Sequence, residues 1–182
     1  MKRQISRWLL SRFEKHTPGF FRRRQLQILM DLAAESFDMP KEKLTEDSTE
    51  EALRQYADFT CRCMEEGTVE EEKLYRDAHR LGSRIRKAAG LTGDEELKRL
   101  IILLYRNIGI TMEIRGEIGT EHTGELTVPG CFFSRVYSPE QCRLMSSVDS
   151  GIVSGICGGG ELQFDRRITE GCESCHACMA ER

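Results

Sequence analysis

Residues Glu170–Met179 read Glu-Gly-Cys-Glu-Ser-Cys-His-Ala-Cys-Met and contain a C-x-x-C-x-x-C run. Its three thiols belong to Cys172, Cys175 and Cys178. Two residues between cysteines allow a loop to turn successive sulfurs toward one point, and thiolates are the ligands that soft metals and iron–sulfur clusters select. The run therefore predicts that the C-terminal region folds around a thiolate-bound metal centre.

The other cysteines supply candidates for the remaining ligand. The chain has eight cysteines, and the run matches the first three-quarters of the bacterial ferredoxin motif, whose fourth thiolate comes from elsewhere. Here the fourth thiolate could come from Cys131, Cys142 or Cys157, and the sequence does not choose among them. We predict that the metal ligands are Cys142, Cys172, Cys175 and Cys178. Further cofactor-binding candidates are Cys131, Cys157 and His176.

Three chemistries fit this set of cysteines. We favour an iron–sulfur cluster of the 4Fe-4S type. Zinc uses the same ligand types, but zinc sites usually pair two separate C-x-x-C knuckles, and only one such group is present here. The third alternative is a metal-free group of reactive thiols.

Composition narrows the classes of protein. The chain has 182 residues, of which 39% are hydrophobic and 31% charged, as in ordinary globular proteins. Its net charge of −3 lacks the global basic field that non-specific nucleic-acid binding needs. The apolar stretch Trp8–Leu10 is too short for a secretory signal, and no segment has the ~20 apolar residues of a membrane span. We therefore expect a cytoplasmic protein, in which reduced cysteines act as metal or redox ligands.

The first predicted helix is basic and amphipathic. Residues 4–15 place apolar side chains on one face and arginines on the other. A helix of this kind can lie on an anionic membrane surface, although packing against its own domain is the simpler interpretation.

The periodicity of the chain predicts an α+β fold. Helical spacing covers most of residues 1–108, and a two-residue alternation typical of a strand begins at Ile110. Ser48, Thr92 and Ser138 each precede a Glu or Gln by three positions, which is the capping-box pattern. We expect a helical region (residues 1–108) and a cysteine-rich α+β module (109–182) in one compact unit. The fold would be an N-terminal helical bundle followed by a small antiparallel sheet with one helix.

The last predicted helix carries a carboxylate in an apolar stripe. Five residues at helical spacing form one face: Cys142, Met145, Asp149, Ile152 and Ile156. Burial of a carboxylate is costly and raises its pKa toward the working range of an acid or base. Asp149 and Cys142 are therefore the candidate catalytic residues. Alternatively, Asp149 hydrogen-bonds the backbone or pairs with Arg143, Arg166 or Arg167.

The C-terminal part also resembles a known family. The segments that carry the resemblance are Cys131-Phe-Phe-Ser, Tyr137-Ser-Pro-Glu-Gln-Cys142, Asp149-Ser-Gly, Gly158-Gly-Gly-Glu-Leu-Gln-Phe164 and Arg167-Ile-Thr-Glu-Gly-Cys172. They are similar to the L-2-amino-thiazoline-4-carboxylic acid hydrolase-like family over roughly the last seventy residues. A fainter similarity is to the plastid β-carotene isomerase family, whose cysteine-rich C-terminal domain is associated with iron.

The resemblance implies a small cytosolic enzyme that opens a thiazoline ring by hydrolysis. It would make Cys131, Cys142, Asp149 and Cys172 site residues. With the cysteine run, this leads us to expect an iron–sulfur or other thiolate-metal enzyme that acts on a small molecule. The alternatives are an iron-dependent isomerase or reductase with a redox partner, and a non-enzymatic metal- or redox-sensing module. An enzyme needs an accessible pocket beside Cys142 and Asp149, whereas a sensor can bury both against the core.

Overall fold

The computed structural model of the chain describes residues 2–118 and 124–180, with side chains from Trp8 onward except Leu9. Within these residues the helices are α1 (Lys2–Lys15), α2 (Gly19–Ser36), α3 (Thr49–Glu66), α4 (Glu71–Ala89), α5 (Asp94–Asn107) and α6 (Pro139–Cys157). The strands are β1 (Ile110–Arg115), β2 (Glu125–Cys131), β3 (Glu161–Arg166) and β4 (Cys175–Ala180). This architecture confirms the predicted α+β fold.

Two of the three predicted capping boxes begin helices. Ser48 precedes α3 and its side chain accepts a hydrogen bond from the Glu51 backbone N–H. Ser138 precedes α6 and makes the full reciprocal box with Gln141. The prediction at Thr92 is wrong, because the N-cap of α5 is Gly93, which has no side chain to cap the helix.

The four strands form an antiparallel sheet in the order β1-β2-β4-β3. Side chains alternate across it, so that one face packs on the helices and the other faces outward. The inner face is apolar, with Leu126, Leu162, Ala177 and Met179 buried. The helical half therefore covers only one side of the sheet.

Helix α6 joins the helical region to the sheet through a close contact with α4. A Cβ atom on Gly155 would lie 2.3 Å from the His79 carbonyl oxygen, and one on Gly82 would lie 2.2 Å from that of Ile152. Real Cβ contacts are never this short, so the two helix backbones approach through their glycines. This contact fixes the position of the α6 face that carries Asp149.

The cysteine run departs from the expected loop. Residues Cys175–Ala180 form β4, which pairs with β2 on one side and β3 on the other. In a strand, side chains three positions apart point to opposite faces. The thiols of Cys175 and Cys178 consequently lie on opposite faces of the sheet.

The first helix begins at Lys2, before the predicted start at residue 4, and Trp8 does not lie on a buried apolar face as its helical spacing predicts. Trp8 is 62% exposed, while Leu10 is buried in the core. Among the described residues, no helix combines the length and the apolar character that a membrane span requires. Surface membrane contact through residues 4–15 stays a prediction.

Candidate active site and thiolate group

A cavity of about 390 Å³, here called the main cavity, lies between the helices and the inner end of the sheet. Most of its walls are apolar side chains from α2, α5 and α6. Phe21 and Ile28 also line it and are 39% and 41% exposed, so the cavity reaches the surface beside α2. Its volume and apolar lining are those of a small-molecule site.

Helix α6 supplies one wall of the main cavity through the face that the sequence predicts. Cys142, Met145, Asp149 and Ile152 all line the cavity. The shared face follows from their helical spacing, and the glycine contact with α4 sets its direction. The accessible pocket that the enzyme hypothesis requires beside Cys142 and Asp149 is therefore present.

Asp149 is the carboxylic acid of this wall, and its pKa is raised. Burial raises the pKa of its carboxyl to about 7, although the hydrogen bond from Tyr105 works in the opposite direction. The Tyr105 hydroxyl donates to Asp149 Oδ1 over 3.0 Å. None of the arginines considered as partners forms an ion pair with it in the described part of the chain. Asp149 is therefore a half-buried acid held by a tyrosine in an apolar cavity.

Asn107 offers a second polar group to the main cavity. It is 6% exposed and its Nδ2 donates to Gln25 Oε1 over 3.2 Å. Its Oδ1 is buried without a hydrogen-bond partner. Because buried amide oxygens are almost always hydrogen-bonded, this one is suited to accept a hydrogen bond from a ligand N–H or O–H.

A smaller cavity of about 60 Å³, here called the thiol cavity, lies next to the main cavity on the sheet side. The walls shared by the two cavities consist of Tyr105, Ile110, Cys131, Cys142 and Asp149. Cys175 completes the group of three thiols around the thiol cavity. The thiols come from the end of β2, the first turns of α6 and the start of β4.

The three thiols of this cavity are protonated in the metal-free protein. Burial raises the pKa of Cys131 to about 12 and raises the pKa of Cys142 and of Cys175. A thiol is a poor nucleophile at neutral pH, and the role of Cys142 as a metal-free nucleophile is therefore disfavoured. A metal would have to displace these protons on binding.

Hydrogen-bond donors nevertheless surround two of the sulfurs. The Ile168 N–H donates to Cys175 Sγ over 3.3 Å. Backbone N–H groups of Ser134 and Phe133 act against the rise in the pKa of Cys131 that burial causes. N–H groups directed at sulfur stabilise bound thiolates and tune clusters.

Arg167 adds a positive charge to the thiol cavity. Its side chain lines the cavity, and its guanidinium lies 5.1 Å from the centre of the Phe164 ring. The Nε atom is buried and has no hydrogen-bond partner. This cation can stabilise thiolates, or bind an anionic group that enters the cavity.

The other predicted ligands lie elsewhere. Cys157 is buried at the end of α6, where burial raises the pKa of its thiol to about 12. Cys172 follows a short 3₁₀ turn and lines neither of the two cavities. His176 and Cys178 lie together on the outer face of the sheet beside Glu125. The structure thus brings Cys131, Cys142 and Cys175 together and separates them from Cys178.

Sequence reasoning missed Tyr105, Asn107 and Arg167 as residues of the cavities. Tyr105 and Asn107 follow an apolar run in α5, where a tyrosine and an asparagine resemble ordinary helix-end residues. Arg167 was considered only as a partner of Asp149. Its position before the 3₁₀ turn gives no signal that its Nε would be buried.

In comparisons with known proteins, no protein-family model, curated protein or solved structure matches the chain. The resemblance to the thiazoline hydrolase-like family therefore stays a prediction.

Proposed function

We propose that the protein is an enzyme that binds a small molecule in the main cavity and transfers a proton through Asp149. The observation that carries the proposal is the carboxyl of Asp149, which has a pKa of about 7 and lines both cavities. At neutral pH such a group exists in both protonation states, as a general acid or base requires. The apolar walls lower the local dielectric constant and so strengthen the interaction of this carboxyl with a bound molecule.

Two further groups that line the main cavity would orient the substrate. Tyr105 holds Oδ1 of Asp149, which leaves the second carboxyl oxygen to exchange a proton with the ligand. The free Asn107 Oδ1 can accept a hydrogen bond from the far end of the same molecule. In a cavity with mostly apolar walls, these polar groups would fix both the position and the orientation of the substrate.

The proposed cofactor is an iron–sulfur cluster held by Cys131, Cys142 and Cys175. Thiols from three elements line one cavity, the Ile168 N–H points at one sulfur, and Arg167 brings a compensating charge. Such a cluster would supply electron transfer or a Lewis acid beside Asp149.

Ring opening of a thiazoline is the most specific reaction within this proposal. Water adds to the ring carbon between nitrogen and sulfur, the carbon–sulfur bond breaks, and the departing sulfur takes a proton. Asp149 can supply that proton, and the unpartnered Arg167 Nε suits a substrate carboxylate. Release of free thiol from 2-amino-thiazoline-4-carboxylate tests this reaction. We expect Asp149→Asn to lower its rate by about 100-fold or more.

The main cavity can be tested with an uncharged naphthalene fluorophore. Ile28→Arg should abolish binding, because it places a charge in the cavity wall at the surface. Phe20→Arg is the matched control, since Phe20 is 65% exposed on the same helix and does not line the cavity. Equal binding by the wild type and both variants would reject the main cavity as the ligand site.

The cluster can be tested on protein purified without oxygen. We expect iron and acid-labile sulfide in matching amounts, both lost in Cys142→Ser and Cys175→Ser. Cys178→Ser is the control within the same run and should keep them. Loss in Cys178→Ser with retention in Cys142→Ser would contradict this ligand set.

A further inference from the structure

The outer face of the sheet carries a second group of metal-ligating side chains. Glu125 on β2 and His176 and Cys178 on β4 place a carboxylate oxygen, a ring nitrogen and a sulfur within 4.8 Å of one another. Among the described residues this is the group of three donors with that spacing. It lies on the opposite side of the sheet from Cys175 and the thiol cavity.

Strand pairing produces this arrangement. Glu125 is the direct partner of Cys178 in the antiparallel β2–β4 ladder, and His176 lies two residues from Cys178 on the same face. Side chains at directly opposed positions and at i and i+2 of one strand are neighbours on the sheet surface. Three strong metal ligands therefore share a rigid platform, so that little order has to be gained when an ion binds.

A bulge in β3 orients the imidazole. The register shifts between Phe164 and Arg166, so that Asp165 is the extra residue opposite His176. His176 Nδ1 lies 2.8 Å from Asp165 Oδ1, and since a carboxylate only accepts, the ring N–H donates. In the neutral imidazole, this hydrogen bond leaves Nε2 with a free lone pair. A histidine that donates its other N–H to a carboxylate is the usual arrangement of a metal-bound histidine.

We propose that Glu125, His176 and Cys178 bind a Zn²⁺ ion on the outer face of the sheet, with Asp165 as the positioning residue. Sulfur, nitrogen and oxygen donors together select zinc over the hard cations Mg²⁺ and Ca²⁺. Three protein ligands leave a fourth tetrahedral position for water or an exogenous ligand. Glu125 and Cys178 are exposed, so that position is open to solvent. This site is separate from the proposed enzyme site and does not depend on it.

Metal titration of the reduced full chain tests the proposal, with Zn²⁺ measured by calorimetry and Co²⁺ as a spectroscopic probe of thiolate coordination. We expect one equivalent bound at the outer face, with thiolate-to-cobalt absorption. Cys178→Ser should remove that absorption, and His176→Gln and Glu125→Gln should weaken Zn²⁺ binding by at least about 100-fold. Asp165→Asn should weaken it about 10-fold, as loss of an outer partner does.

Cys175→Ser is the control that separates the two faces. It removes a thiol from the thiol cavity but none from the outer face, so the Zn²⁺ equivalent and the cobalt–thiolate absorption should remain. Gln163→Ala, on the outer face opposite Cys178, should also leave them unchanged. If Cys175→Ser removes the ion and Cys178→Ser retains it, zinc binds in the thiol cavity and the outer site is rejected. Absence of Zn²⁺ binding by the correctly folded wild type rejects it equally.

Discussion

The inner and outer sides of the sheet have the same chemical groups, a carboxyl and a thiol, in opposite surroundings. On the inner side, Asp149 and Cys175 line cavities and burial raises the pKa of both. On the outer side, Asp165 and Cys178 are exposed, and the hydrogen bond to His176 lowers the pKa of Asp165. Strand β4 thus places Cys175 in a buried site suited to proton transfer. It places Cys178, from the same run, in an exposed site suited to a hydrated ion.

The largest expected effect is a pH dependence of the free energy of unfolding that comes from Asp149 and not from Asp165. Asp149 has an ordinary pKa of 3.8 when unfolded and about 7 when folded. Between these values the folded state binds more protons, so the free energy of unfolding falls as pH rises from about 4 to 7. The rise of the pKa from 3.8 to about 7 corresponds to about 4 kcal/mol of stability, which is lost once the pH exceeds 7. Urea unfolding across this range measures it.

Asp149→Asn should flatten this decline and stabilise the protein above pH 7. Asp165→Asn should leave it in place, because the folded pKa of Asp165 is lowered and its contribution has the opposite sign. The same pH profile in wild type and Asp149→Asn would show that the carboxyl ionises as it does in water.

The second expected effect comes from the helix contact behind the inner site. Gly155→Ala places a Cβ atom 2.3 Å from the His79 carbonyl oxygen, so α4 and α6 must move apart. Such overpacking should lower the free energy of unfolding by about 3 kcal/mol. It should also reduce iron content while leaving Zn²⁺ binding at the outer face intact.

Gly130→Ala is the control for this substitution. The nearest atom to its new Cβ is Thr111 Oγ1 at 3.9 Å, an ordinary contact. Its thermal and urea unfolding should match the wild type within about 0.5 kcal/mol. If Gly155→Ala left the free energy of unfolding equally unchanged, α4 and α6 could accommodate the extra methyl group, and this contact would not fix the cavity wall.

The third expected effect concerns the hydroxyl that holds Asp149. Tyr105→Phe removes a donor to the carboxylate, so the pKa of Asp149 should rise further and the protein should lose about 2 kcal/mol above pH 7. Tyr75→Phe is matched in chemistry, because the Tyr75 hydroxyl donates to Ser154 Oγ over 3.0 Å. Its cost should be about 1 kcal/mol and independent of pH. Identical pH profiles for the two variants would contradict the role of Tyr105.

The fold and one wall of the site follow from sequence because both rest on local periodicity. The α6 face that contains Cys142 and Asp149 was predicted from helical spacing, and the capping box at Ser138 fixed where that helix begins. Local rules suffice here, since one helix carries the whole face.

The rest of the site depends on contacts between distant segments. The spacing of the cysteine run fits a metal loop as well as a strand, and only pairing with β2 and β3 selects the strand. Glu125 lies opposite Cys178 because of the strand register, and a slip of one residue would move the side chains of one strand to the other face. The unpartnered oxygen of Asn107 arises from packing around the main cavity. No local pattern encodes these features.

The smallest expected effect is the most direct comparison of the two faces. In reduced, metal-free protein, Cys175→Ala removes a half-buried sulfur and leaves the Ile168 N–H without its acceptor. The cost should be about 1 kcal/mol, the usual value of one hydrogen bond together with a small loss of packing. Cys178→Ala removes an exposed sulfur and should change the free energy of unfolding by less than about 0.5 kcal/mol. Urea unfolding with a chelator and reductant measures both, and a larger cost at Cys178 would mean that the strand presents the opposite faces.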